Sequence, residues 1–215
     1  MAIRMGKVWR QGLRYEPSER WIRAYKDGRL VVDTRRPVVV WREDKTVPQY
    51  AFPEDDVNGL DGERFDDPDL AGLVHIPFDA ADKWLEEDEV MLGHARDPFA
   101  RIDVRQSSRR VRIEKNGELL AESTRPVLLF ETGLVTRFYL PREDVVAPID
   151  ESDRHTICPY KGVASYYTVG GHKDIAWYYP DPLPGVEPIK DLVAFWNERV
   201  SILDDAEELA HAAHE

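Results

Sequence analysis

Cysteine is almost missing. Cys158 stands alone, so no intramolecular disulfide can form, and a reduced, cytoplasmic setting is the expectation. One thiol also cannot anchor a structural zinc site, which usually takes about four ligands; neither a metal nor a cofactor is expected. No apolar run approaches the roughly 20 residues of a spanning helix. Met1 to Arg10 carries basic residues with no apolar segment behind them, so no signal peptide is read there. Positive charge is scarce: Lys and Arg total 29 against 41 Asp and Glu, a net charge of −12. Such a field repels phosphate backbones and anionic lipid, so nucleic acid and membrane surfaces are not expected as partners. With 42% hydrophobic and 33% charged residues, the chain has the balance of an acidic, soluble globular protein rather than a disordered one. Its oligomeric state is not readable.

What the chain does contain is a repeat. Residues 25–57 and 114–145 align through Gly28 with Gly117, Arg36-Pro37 with Arg125-Pro126, Pro53 with Pro141 and Asp56 with Asp144. Agreement at this many spaced positions predicts two tandem homologous halves, 14–104 and 105–204, followed by a short tail at 205–215. Each half opens on a hairpin signal, Asp27-Gly28 or Asn116-Gly117, dipeptides that accept positive φ. The apolar runs Val38–Trp41 and Val127–Phe130 read as strands covered on both faces. Residues 54–72 read as a loop. Asp79–Glu89 reads as a helix capped by Asp79, with Trp84 and Leu85 inward and Glu86–Glu89 on its solvated face. Asp150–Asp153 reads as a turn, and 164–169 and 173–179 as strands around Gly170-Gly171. Residues 189–203 fit helix or strand, with 200–203 favouring a closing strand, and Ala206–His214 is a short tail with helical composition. The fold class expected is mainly β with a few short helices.

Chemistry concentrates between His155 and Tyr167. That window holds the only thiol, an imidazole three residues before it and an ammonium three residues after it. Cys158 is a candidate nucleophile, since a nearby cation such as Lys161 or a protonated His155 favours the thiolate; the competing reading is a small buried hydrophobe before Pro159. Lys161 can hold an anionic group as a point charge, and Gly162 after it allows close backbone approach. Its competing reading, shared by Arg142, is an ion pair with Glu131, Glu143 or Asp144. Glu131 and Asp144 are candidates for general acid–base work, although Asp144, matched by Asp56 in the first half, fits a role in holding the repeat equally well. Tyr139, Thr156, Tyr166 and Trp177, with His155, are candidate ligand-binding groups; the aromatic ones also read as ordinary core. Alternation places Trp177 and Tyr179 on one face of a strand and Tyr178 on the other.

These stretches resemble a known family. Arg125-Pro126, Phe130-Glu131-Thr132-Gly133, Tyr139-Leu140-Pro141-Arg142-Glu143-Asp144-Val145, Thr156-x-Cys158-Pro159-Tyr160-Lys161-Gly162 and Ala176-Trp177-x-Tyr179 are similar to the pattern of domain-of-unknown-function family 427. The first half resembles the degenerate copy of tandem members, through Trp84-x-Glu86-Glu87-Asp88-Glu89 and His94-x-x-Asp97-Pro98. The resemblance implies a compact β-complex or small-barrel fold. The family also carries a nucleotidyltransferase-like label. This chain lacks the Gly-Ser loop and spaced Asp-x-Asp that a metal-bound triphosphate site would need, so the label is not supported by its motifs.

Whether the chain is an enzyme is left open by its residues. The reading is a protein that binds or transforms a small polar or anionic metabolite in an aromatic-walled pocket of the second half, the first half serving as scaffold. The alternative is a non-catalytic structural or protein-interaction module in which Thr156–Gly162 is a structural turn. Replacing Lys161 or Cys158 by Ala is expected to alter binding while costing the fold about 1–2 kcal/mol or less.

Overall fold

A computed structural model describes residues 13–205 and a two-residue strand at 207–208. The N-terminal reading on Met1–Arg10 lies outside the described residues, as does that on the tail apart from this strand. The chain divides into two compact units, one through Pro98 and one from Phe99. Both are mainly β, and the helical segments among the described residues are single 3-10 turns.

In the first unit the strands are β1 (Leu13–Pro17), β2 (Ile22–Lys26), β3 (Arg29–Thr34), β4 (Val38–Arg42), β5 (Gln49–Pro53), β6 (Glu63–Arg64), β7 (Leu73–His75), β8 (Lys83–Glu86) and β9 (Glu89–Val90). They form one sheet of order β1-β4-β5-β7-β6 and another of order β3-β2-β8-β9. Ile22, Ala24 and Trp84 from the second sheet meet Val39, Tyr50, Phe52 and Val74 from the first in one core. Val40, Ala51 and Leu70 bury the opposite face of the first sheet. The apolar run in β4 is thus covered on both sides.

In the second unit the strands are β10 (Ile102–Gln106), β11 (Val111–Lys115), β12 (Glu118–Ser123), β13 (Val127–Glu131), β14 (Arg137–Leu140), β15 (Ile149–Cys158), β16 (Gly162–Val169), β17 (His172–Tyr178), β18 (Val193–Phe195), β19 (Ser201–Asp204) and β20 (Glu207–Glu208). A seven-stranded sheet runs β10-β13-β14-β18-β17-β16-β15, and a four-stranded sheet runs β12-β11-β19-β20. The two sheets enclose a core that includes Val111, Ile113, Leu120, Leu128, Phe138, Val193 and Phe195. On the far face of the large sheet, Tyr139, Tyr166, Trp177 and Tyr179 make a second core, closed over by Val186 and Ile189 from the proline-rich segment. Trp177 and Tyr179 share that face and Tyr178 packs on the other, as alternation requires. The strand orders run end to end without closing, so the units are stacked open sheets rather than small barrels.

Pairings recur between the units. Ile22 pairs with Thr34 and Val111 with Ser123; each hairpin slips register once, after Ala24 and after Ile113. Both turns take positive φ, 49° and 72° at Asp27-Gly28 and 52° and 81° at Asn116-Gly117. Arg36 donates to Asp56, and Arg125 to Asp144 and Glu143.

Several local expectations are corrected. Asp79–Glu89 is no helix: a 3-10 turn at Phe78–Ala80 leads into the β8–β9 hairpin, with Glu87 at φ 51° in its turn. β8 pairs with β2, and this partner outweighs the local helical pattern. Trp84 and Leu85 are buried as expected, but on a strand. Asp150–Asp153 belongs to β15, which pairs with β16 from Ile149 to Cys158 across a slip between Ser152 and His155. Residues 54–72 contain β6 and two 3-10 turns, and 189–203 contain β18 and most of β19.

Candidate functional site

The Thr156–Gly162 stretch is a strand end, a turn and a strand start. Thr156 and Cys158 close β15, Pro159 to Lys161 turn the chain, and Gly162 opens β16. Gly162 has φ 102°, and a Cβ there would meet the Asp181 carbonyl oxygen at 3.2 Å. Its close approach is therefore to the chain's own proline-rich segment, which also donates Leu183 N–H to the Lys161 carbonyl at 3.1 Å.

Alternation along β15 sorts the candidates. Thr156 and Cys158 face the aromatic core. Thr156 Oγ1 lies 3.0 Å from the Tyr166 hydroxyl, and Cys158, half-buried, packs against the cluster of Tyr139, Tyr166, Trp177 and Tyr179. At the end of β13, Glu131 takes a hydrogen bond and charge from Lys161 Nζ. Both side chains are nearly buried, at 12% and 11% exposure. Tyr139 is fully buried and receives the Trp177 indole N–H at 3.4 Å. Burial pushes its phenol far above the ordinary range, and burial does the same to Tyr179. The Glu131 carboxylate raises both phenols further, and the Lys161 backbone N–H donates to the Cys158 carbonyl at 3.3 Å.

Two candidates sit elsewhere. His155 points to the opposite face of β15, exposed, with Nδ1 3.1 Å from Ser165 Oγ. Asp144 lies in a 3-10 turn, joined to Arg125, beside Val145, which bridges to Ala121 of the smaller sheet. Arg142 stands 5.3 Å from the Tyr167 ring centre rather than in the expected carboxylate pair. The structure thus gathers Glu131, Tyr139, Thr156, Cys158, Lys161, Tyr166 and Trp177 on one face and leaves His155 and Asp144 outside.

The sequence reading passed over Trp196 and Arg137. Trp196 packs 4.9 Å from Trp177, and the Arg137 guanidinium lies 5.6 and 5.9 Å from the two ring centres while pairing with Glu198. Among the described residues, the buried Trp196 Nε1 has no acceptor. No spacing rule links a tryptophan in the 189–203 segment to β17; only the β17–β18 pairing brings them together. Among the described residues, no three His, Cys, Asp or Glu side chains group in a way that could hold a metal ion.

Fold and side-chain arrangement define a mainly β protein of stacked open sheets, with a polar and thiol-bearing corner on an aromatic core. No described helix is long and apolar enough to cross a membrane. The family model for domain of unknown function DUF427, labelled NTP_transf_9, matches residues 103–206, most of the second unit. No curated protein matches the chain.

Proposed function

We propose that the second unit binds a small polar or anionic metabolite at the corner where Lys161 and Glu131 meet the Tyr139–Tyr179 cluster. The Lys161–Glu131 pair carries this reading. A nearly buried ion pair is poor evidence for stability, because desolvation offsets the attraction, and this one sits beside a thiol and buried phenols. The ligand's anionic group takes Glu131's place on Lys161, and an acceptor atom satisfies the Trp196 N–H. A second reading, in which the stretch is a structural corner, draws on the complete burial of Tyr139 and the tight Gly162–Asp181 approach.

Melting the full chain against a panel of small carboxylates and phosphates separates the two, since a ligand that binds only the folded state raises the Tm. The double variant Lys161→Met/Glu131→Leu removes both charges without stranding either. It is expected to fold and to lose the response, while Asp144→Asn keeps it. A panel without any Tm rise, or a rise untouched by the double variant, favours the structural corner.

We also infer that the two units descend from one duplicated ancestor, on the recurring hairpin register and Arg–Asp pairs. A free thiol at Cys158 accords with the reduced cytoplasm as the chain's setting.

A further inference from the structure

The first unit, expected only to be a scaffold, contains a cavity of about 200 Å³ between its two sheets. Phe52, Phe78 and Trp84 form one wall: Trp84 stacks on Phe52 and on Phe78, each at 5.7 Å between centres and within 20° of parallel. Met91 lies in the lining as well. The polar handles of the aromatic residues are engaged with protein groups. Trp84 Nε1 donates to the Phe78 carbonyl at 2.8 Å, and the Tyr50 hydroxyl donates to Glu86 at 3.0 Å. What faces the cavity is mostly carbon. Among the described residues, no Lys, Arg, Asp or Glu lines it; the titratable groups there are Tyr50, His75 and His94. His75 holds the Tyr50 carbonyl at 3.2 Å through Nδ1 and stays uncharged near neutral pH because burial disfavours its cation.

We propose that this cavity binds a small, uncharged, single-ring aromatic molecule. An engineered apolar cavity of about 150 Å³ admits benzene, so the space here suits one ring with a small substituent. Rigid aromatic walls meet a planar ring in offset or edge-to-face contacts, and a thioether favours an aromatic edge. A charged ring compound would lose its hydration and find no counter-ion in the lining. The proposal is independent of the reading of the second unit, which concerns other residues and an anionic ligand.

Titrating the ¹⁵N-labelled full chain with toluene, phenol and benzoate tests it. Toluene and phenol are expected to give saturable shifts confined to residues 47–52 and 75–95, with benzoate at least about tenfold weaker. Val47→Phe places a ring at the pocket from a partly exposed position, and Ala95→Leu fills it from a buried one. Either variant, if folded by circular dichroism, is expected to abolish the toluene shifts. If Ala95→Leu does not fold, Val47→Phe decides. Absence of saturable shifts with both toluene and phenol overturns the proposal. So do shifts elsewhere in the chain, equal binding of benzoate, or toluene shifts that survive Val47→Phe.

Discussion

Lys161 has a different worth in the structure than its sequence position conveys. As an exposed turn residue it would be removable at about 1–2 kcal/mol or less. Joined to Glu131 with both side chains nearly buried, it leaves an unpaired carboxylate when truncated. Lys161→Ala is therefore expected to cost roughly 3 kcal/mol, the lower end of the range for a broken buried pair. The Lys161→Met/Glu131→Leu double variant should recover most of that loss. Urea midpoints of the two variants check both figures. Gly162→Ala is expected to cost about 1–3 kcal/mol, because it combines positive φ with a 3.2 Å approach to the Asp181 carbonyl oxygen. His75 supplies a pH dependence. Its imidazole is held below the ordinary 6.5, chiefly by burial. As pH falls, the unfolded chain takes up this proton first, so the stability tied to neutral His75 is present above about 6.5 and lost as pH drops toward the folded value. His75→Gln should flatten the decline below about pH 6.5, read from urea midpoints as pH is lowered from neutral.

At the level of elements, turn chemistry was the most legible part of the sequence. Asp27-Gly28 and Asn116-Gly117 make the two hairpins because only a few residue types accept left-handed backbone at low cost. Gly117→Ala, at φ 81° with open space around it, should accordingly cost about 1 kcal/mol by denaturant titration, through backbone conformation alone. The helix expected at 79–89 was misread for a physical reason. Acidic residues after Asp79 satisfy the local rules for a helix start, but adjacent Trp84 and Leu85 are both buried on a short strand paired to β2. A partner some 60 residues away in sequence leaves no trace in a local window. The site was half legible for a related reason. The Thr156–Gly162 stretch carries its chemistry in order, whereas the face each side chain takes depends on the register of β15, which separates His155 from Cys158. Trp196 and the first unit's cavity depend on long-range pairing and left no local signal.

On the scale of the whole chain, each unit owns its sheets and its cores. Among the described residues, every strand pairing of the second unit stays on its side of Phe99. Residues 99–215 expressed alone should therefore melt cooperatively, with a β-type circular dichroism spectrum; a fragment without a thermal transition would contradict that autonomy.

One margin of the seven-stranded sheet, unpaired among the described residues, has a bearing on behaviour in concentrated solution. Its outermost strand, β15, is ten residues long and carries Ile157 exposed opposite an exposed Val163. A flat apolar rim of that length invites a second chain to add itself by backbone hydrogen bonds. Here the slip after Ser152 breaks the run of open amides, and Asp150, Glu151 and Asp153 set like charges against any identical strand laid alongside. Acidity that reads in the composition as mere solubility thus acts locally, as a guard against fibre growth. An Asp150→Asn/Glu151→Gln/Asp153→Asn variant should melt like the parent yet scatter light at concentrations where the parent remains clear.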